Sequence, residues 1–359
     1  MTDPDVVVIG AGIVGCAAAA FLAEAGASVL LVERDAVGAA ASGRNSGILQ
    51  HPMDAGLAPL FEESLRHLRE LDAHGFELPA EPHGVLMLAD SEASLAGELE
   101  RLQGKFPELR PQPLAPGEPT AIEPAVARGL AGMRLETGYP VGPSAATRAF
   151  ASRATAAGAR LAVGTTAALA PGGVSLDGAR RAAGAVVVAA GPWTPELIDP
   201  SGNWRPITPL WGVVAEIRLD PAPRHALEEA GIEHLVAYAA APPPIFSLVT
   251  TGAVSALGSV FLPERPVPDA LLALLRGRGA RFVPALAGAP AGAVRACARP
   301  LSADGQPLLG RAPLRDDVFV AAGHGPWGIS LGPASARLVA DLVLGRTATP
   351  PPAFDPGRF

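Results

Sequence analysis

Residues 6–23 carry no charge, yet three glycines, Gly10, Gly12 and Gly15, split the run into two chemistries. Val6-Val7-Val8-Ile9 is β-branched and suits a strand, whereas Cys16 and the alanines after it suit a helix. Length alone would admit a membrane span. The glycines, and Asp3 and Asp5 where a signal segment would carry positive charge, argue against a transmembrane segment. A strand over 5–9, a glycine turn, a helix to about residue 25, a stop at Gly26 and a strand over 28–33 make a βαβ unit. The turn, Gly10-Ala11-Gly12-Ile13-Val14-Gly15, spells G-x-G-x-x-G. Its first glycine permits the tight turn, the second admits a pyrophosphate, and the third lets helix and strand pack closely. The helix N-terminus offers N–H donors and a positive dipole end to phosphates. Glu33 closes the second strand, where an acid accepts hydrogen bonds from an adenosine ribose and repels a 2′-phosphate, disfavouring NADP. The unit predicts dinucleotide binding.

The 359-residue chain is long enough for two domains, and its 49% hydrophobic content supports a large core. A net charge of −7 with no basic tract excludes nucleic acid as a partner class. Cys16 and Cys297 cannot make a disulfide framework, so a reducing, cytoplasmic setting is expected.

Beyond the opening unit, residues 55–74 space Leu57, Leu60, Phe61, Leu65, Leu68 and Leu71 as an amphipathic helix. A strand over 85–88 and a helix over 92–102 precede six prolines between 107 and 124, which predict an irregular connection. Ser144 is positioned to cap a helix to about 157, with strands over 159–163 and 185–190 and a hairpin at Pro171-Gly172-Gly173. Strands over 213–219, 245–249 and 254–261 and a helix over 269–277 follow. The chain closes on a strand over 318–322, the turn Gly323-His324-Gly325-Pro326-Trp327-Gly328 and a helix over 329–344. This alternation predicts an α/β nucleotide domain in three pieces, residues 1–80, 140–208 and 294–359. A mainly β domain is expected from residues 81–139 and 209–293.

Two further segments bear on the cofactor. Ala41-Ser42-Gly43-Arg44-Asn45-Ser46-Gly47-Ile48 is small and polar, suited to follow a pyrophosphate towards a flavin, or to be a surface turn. Residues 323–328 start a helix whose N-terminus would stabilise negative charge on a reduced flavin pyrimidine, or form a generic β–α turn.

Together with the N-terminal fingerprint, residues 41–47 and Val186-Val187-Val188-Ala189-Ala190-Gly191-Pro192-Trp193 resemble the FAD-dependent D-amino-acid-oxidase superfamily. The most specific match is Arg299-Pro300-Leu301-Ser302-Ala303-Asp304-Gly305-Gln306-Pro307 followed by Ala321-Ala322-Gly323-His324-Gly325. Within that superfamily the chain is most similar to the glycine oxidase, D-amino-acid dehydrogenase and sarcosine oxidase branch. The resemblance implies a Rossmann-like FAD-binding domain interleaved with a mainly β (α+β) substrate domain. It also implies FAD, covalent or not, and hydride transfer from an amine or amino-acid Cα to flavin N5, giving an imine that hydrolyses. The implied cofactor set is Gly10, Ala11, Gly12, Ile13, Val14, Gly15, Glu33, Arg34, Ser42, Gly43, Arg44, Asn45, Ser46, Gly47 and Ile48. Ala167, Ala190, Gly191, Trp193, Gly323, His324, Gly325, Trp327, Gly328 and Ile329 complete it.

Arg299 aligns with the arginine that holds the substrate carboxylate in glycine oxidases, although an internal pair with Asp304 is the competing reading. A second glycine-oxidase arginine aligns with Pro326, and the arginine and lysine of sarcosine oxidases align with Gln50 and Ser330. None of these three is kept, so the substrate need not be glycine or sarcosine. Cys297 stands where sarcosine oxidases carry the flavin-linked cysteine. His51 either lines the pocket or lies in a solvated loop, and Tyr238 belongs either to the substrate sheet or to the core or surface. The only lysine, Lys105, falls in the proline-rich region, so O2 or another electron acceptor remains open. A 2-hydroxyacid oxidoreductase and a non-catalytic flavin-binding electron-transfer subunit are the competing functions, and a homo-oligomer is left open.

Overall fold

The computed structural model describes residues 3–230 and 244–359. Val6–Ile9 lies inside a six-stranded sheet ordered Leu308–Ala312, Arg315–Ala322, Ala185–Val188, Val6–Ile9, Val29–Glu33, Arg160–Val163. All neighbours run parallel except the first pair, which is a hairpin. Both faces are covered, which is why its strands read as continuous apolar runs rather than alternating ones. Val6 and Val8 pack with helices Ile13–Glu24, Ala145–Ala156 and Gly328–Val343 on one side. Val7 and Ile9 pack with Val174, Ile198 and Trp204 on the other. Each fully buried valine or leucine contributes about 1.5–3 kcal/mol.

Helix Ile13–Glu24 is buried nearly all round, and Ala17 to Ala20 are at 0% exposure. Small side chains there let the neighbouring helices close in. A Cβ on Gly15 would lie 1.9 Å from the Gly10 carbonyl oxygen, so this turn admits only glycine. No helix among the described residues is long and apolar enough to cross a membrane.

An eight-stranded sheet is ordered Ala291–Ser302, Ile207–Ile217, Val254–Gly258, Ser247–Thr251, Ala226–Glu229, Val85–Ala89, Ala131–Leu135, Gln112–Leu114. One of its faces packs Val213, Leu248 and Leu257 against Leu275, Phe282 and Leu286. Its longest strand, Ala291–Ser302, falls where no strand is expected, because Ala, Gly, Arg and Pro are weak strand formers. Pairing with Ile207–Ile217 along its length supplies the order, and its edge position tolerates Pro300.

Residues 107–124, expected as an irregular connection, instead hold the edge strand Gln112–Leu114 and short helices Pro107–Leu109 and Glu118–Ile122. Prolines at the first turns of those helices and on an edge strand cost no ladder hydrogen bond. Ser144 precedes its helix without a side-chain cap; its hydroxyl accepts from Arg148.

Candidate active site

A cavity of about 410 Å³ lies between the two sheets. Gly10, Gly12, Ile13 and Val14 of the first turn line one end with Glu33, Arg34, Ser42, Asn45, Ser46, Ala167, Ala190, Gly191 and Trp193. Gly10 adopts a positive φ of 104°, and a Cβ there would lie 2.5 Å from the Ala189 carbonyl oxygen. Glu33 accepts from the Ala11 N–H (2.8 Å) and the Asp35 N–H (3.0 Å), tying the glycine turn to the second strand. A carboxylate has about four acceptor sites, so capacity remains for ribose hydroxyls. The Ser42 hydroxyl accepts from the Ile13 N–H at 3.0 Å, capping the first helix from outside its own segment. Arg34 stacks over the Trp193 ring at 4.1 Å.

Six members of the expected cofactor set stay out of the lining: Ala11, Gly15, Gly43, Arg44, Gly47 and Gly323. They support it. A Cβ on Gly43 would meet the Gly38 carbonyl oxygen at 2.3 Å, and one on Gly47 the Val141 carbonyl oxygen at 2.4 Å. Asn45 donates to the carbonyls of Ala41, Ser42 and Pro143 and accepts from the Gly47 N–H, which locks the segment. Arg295, on the long strand, donates to the carbonyls of Arg44 and Asn45 and so fastens that segment to the second sheet.

The second sheet supplies Val214, Glu228, Ser247, Ser259, Phe261, Cys297, Arg299 and Pro300 to the lining, and Gln50 enters from the loop after Ile48–Leu49. Arg299 donates to Ser259 Oγ (2.7 Å) and the Val260 carbonyl (3.0 Å), over the Phe261 ring at 4.5 Å. Gly212, on the adjacent strand, leaves it room, since a Cβ there would meet the guanidinium at 2.3 Å. Burial holds the guanidinium below the ordinary arginine value. Asp304 does not pair with Arg299; Arg358 takes both its oxygens, at 2.7 and 3.0 Å.

His324 lines the cavity with Gly325, Trp327, Gly328 and Ile329 at the start of the C-terminal helix. The ring is 3% exposed, its Nε2 has no hydrogen-bond partner, and burial pushes its pKa down to about 4. His51 is absent from the lining. Its ring stands edge-on to Phe61 and Phe106, and Nδ1 accepts from the Met53 N–H, which is neither of its expected settings. Tyr238 lies outside the described residues. Among those residues no cluster of His, Cys, Asp and Glu could hold a metal ion.

Glu228, Ser247, Ser259 and Phe261 carry no sequence signal, because strands far apart in the chain bring them together, whereas Gln50 is marked by its alignment with a sarcosine-oxidase arginine. Glu228 in particular sits in Ala226-Leu227-Glu228-Glu229, a pattern more typical of an exposed helix.

A family model described as FAD dependent oxidoreductase (DAO) matches residues 5–342. The chain belongs to this family. It is 30% identical to the glycine oxidase of Pseudomonas aeruginosa over 99% of this chain and 97% of that one. It is also 30% identical to the glycine oxidase of Geobacillus kaustophilus, covering 94% of this chain and 92% of the other. The crystal structure of glycine oxidase from Geobacillus kaustophilus superposes with a TM-score of 0.84 at 28% identity, covering 100% of both chains. FAD is the family's cofactor, and the residues present fit it: Gly10, whose backbone admits only glycine, and His324, whose buried Nε2 has no hydrogen-bond partner, both line the cavity.

Proposed function

We propose that this FAD-dependent oxidoreductase oxidises an amino acid, with Arg299 gripping the substrate carboxylate. What carries the reading is a partly buried guanidinium, facing the cavity, that no acidic side chain of the described residues neutralises. A planar guanidinium holds a carboxylate through two parallel N–H···O bonds, giving orientation as well as affinity. FAD, when bound, would supply the two-electron acceptor for hydride leaving the substrate Cα, and the resulting imine would hydrolyse in water. The residues around Arg299 prepare its geometry. Ser259 and Val260 each take one N–H and Phe261 covers the guanidinium face, so little reorganisation is left at binding.

His324, neutral at ordinary pH, faces the cavity as a polar contact for the flavin. Gly10, Gly12 and Glu33 hold the adenosine and pyrophosphate end. Anaerobic mixing of the holoprotein with amino acids, amines and hydroxy acids tests the reading. Amino acids are expected to bleach the flavin and release ammonia in air. Bleaching by hydroxy acids alone would overturn it in favour of a hydroxyacid oxidoreductase, and no bleaching by any of them in favour of an electron-transfer subunit.

A further inference from the structure

Two glycines clear space for polar side chains on the sheet wall of the cavity. The Arg299 guanidinium lies directly over Gly212, where a Cβ would fall 2.4 Å from its central carbon. On the adjoining strand, a Cβ on Gly258 would meet Ser247 Oγ at 2.9 Å, so that hydroxyl lies over Gly258 in the same way. Ser247 is 7% exposed and lines the cavity, and its hydroxyl has no hydrogen-bond partner among the described residues. Ser259, a second hydroxyl of this wall, is already engaged with Arg299 and with the Val260 carbonyl. We propose that Ser247 determines specificity by accepting a hydrogen bond from the α-amine of an amino-acid substrate whose carboxylate Arg299 holds. This rests on the reading of Arg299 as the carboxylate anchor.

The register gives the separation. Ala215 pairs with Leu257, which sets Gly258 opposite Val214, two residues along the strand from Gly212. One strand spacing across and two residues along put the two glycines, and the groups above them, about 8 Å apart. An α-amino acid fits that span: about 4 Å from guanidinium to carboxyl carbon, about 2.5 Å on to the amine nitrogen and about 2.9 Å to an acceptor, with slack for a bend. As an acceptor, the serine oxygen takes an amine N–H and leaves the nitrogen lone pair free to form the C=N bond as the Cα–H is lost. A nitrogen that keeps at least one hydrogen in its uncharged form satisfies the contact. Primary and secondary amino acids meet that condition, and N,N-dialkyl ones do not.

2-Aminoisobutyrate and pivalate have nearly the same shape and differ by an amine in place of a methyl. Neither has a Cα–H to lose, so both are dead-end ligands, and flavin-perturbation titrations of the holoprotein give their dissociation constants. Ser247→Ala should weaken 2-aminoisobutyrate relative to pivalate by about tenfold, with pivalate itself little changed. Because the hydroxyl has no described partner within the fold, the same variant should retain FAD and melt no lower than the wild type. Amino acids that bleach the flavin should cease to do so when N,N-dimethylated. An unmoved ratio places the amine elsewhere, and bleaching by a dimethylated substrate shows that the contact is not required. Equal weakening of both ligands, or loss of FAD or of thermal stability in Ser247→Ala, makes the hydroxyl structural. Each of these overturns the inference and leaves Arg299 as the anchor. If neither ligand binds the wild type, or Arg299→Met binds pivalate as tightly, the carboxylate grip fails and both readings fall.

Discussion

A guanidinium held partly out of water keeps its charge only where its N–H groups are well used, and Arg299 leaves part of that capacity turned to the cavity. Arg299→Met should therefore fold with FAD bound, yet lose about 2–4 kcal/mol in kcat/KM for amino acids. Its discrimination between an amino acid and the decarboxylated amine should collapse, which paired kinetics would show. Loss of flavin with an intact carboxylate preference would make Arg299 structural. His324 gives a second prediction, through pH. Its pKa is about 4 in the fold, against about 6.5 for an unfolded histidine. Between those values the unfolded chain binds the extra proton, so the stability contribution is full above about pH 6.5 and declines towards pH 4, by on the order of 3 kcal/mol. His51 and His67 are also lowered by burial and add slope of the same sign. Thermal melts of the holoprotein should fall as pH drops below 6.5, and His324→Gln should flatten that fall. An unchanged slope would mean that the proton is taken up elsewhere.

The strand–turn–helix at the N-terminus separates two glycine roles. At Gly15 the obstacle to a Cβ is the Gly10 backbone, which cannot turn aside, whereas at Gly12 it is the Ser42 hydroxyl at 3.1 Å, which can. Gly15→Ala should be poorly soluble and flavin-free, with a cost above the roughly 1–3 kcal/mol of ordinary overpacking. Gly12→Ala should fold but bind FAD about tenfold or more weakly, since its methyl crowds the pyrophosphate approach; flavin fluorescence titration measures it. This element was legible in sequence because backbone constraints at Gly10 and Gly15 admit only glycine and leave a fixed spacing. Strand Ala291–Ser302 was not, because its order comes from its partner rather than from its own propensities. Arg299 could be picked out from a motif continuous in the chain. Glu228 could not, since its setting depends on Gln50, Ser247 and Ser330, each remote in sequence. His51 misled for the opposite reason: a polar residue beside a cofactor loop is placed by its aromatic neighbours, Phe61 and Phe106.

Because the cavity runs between the two sheets, cofactor binding joins units that have separate apolar cores. FAD at about a hundred times its dissociation constant should raise stability by about 2.7 kcal/mol. Amide exchange should slow in both Val6–Ile9 and Ala291–Ser302, and slowing in the first alone would deny the joint role. The sole lysine, Lys105, ends helix Ala96–Lys105 on the exterior, and among the described residues the arginines lining the cavity are Arg34 and Arg299. Reoxidation of the reduced holoprotein by air, followed by stopped flow, is therefore expected to be slower than turnover with an artificial acceptor. Equal rates would show that oxygen activation needs no lysine here. The strand carrying Arg299 also reaches the cofactor side, since Leu301 bridges to His324. If Arg299 grips the carboxylate and the His324 turn meets the flavin, that continuity acts as a gauge: their spacing is counted along one backbone, two residues from Arg299 to Leu301, and not negotiated by side-chain packing. The other strands of the same sheet can then exchange residues, and what is consumed can change, without resetting the distance at which it reacts.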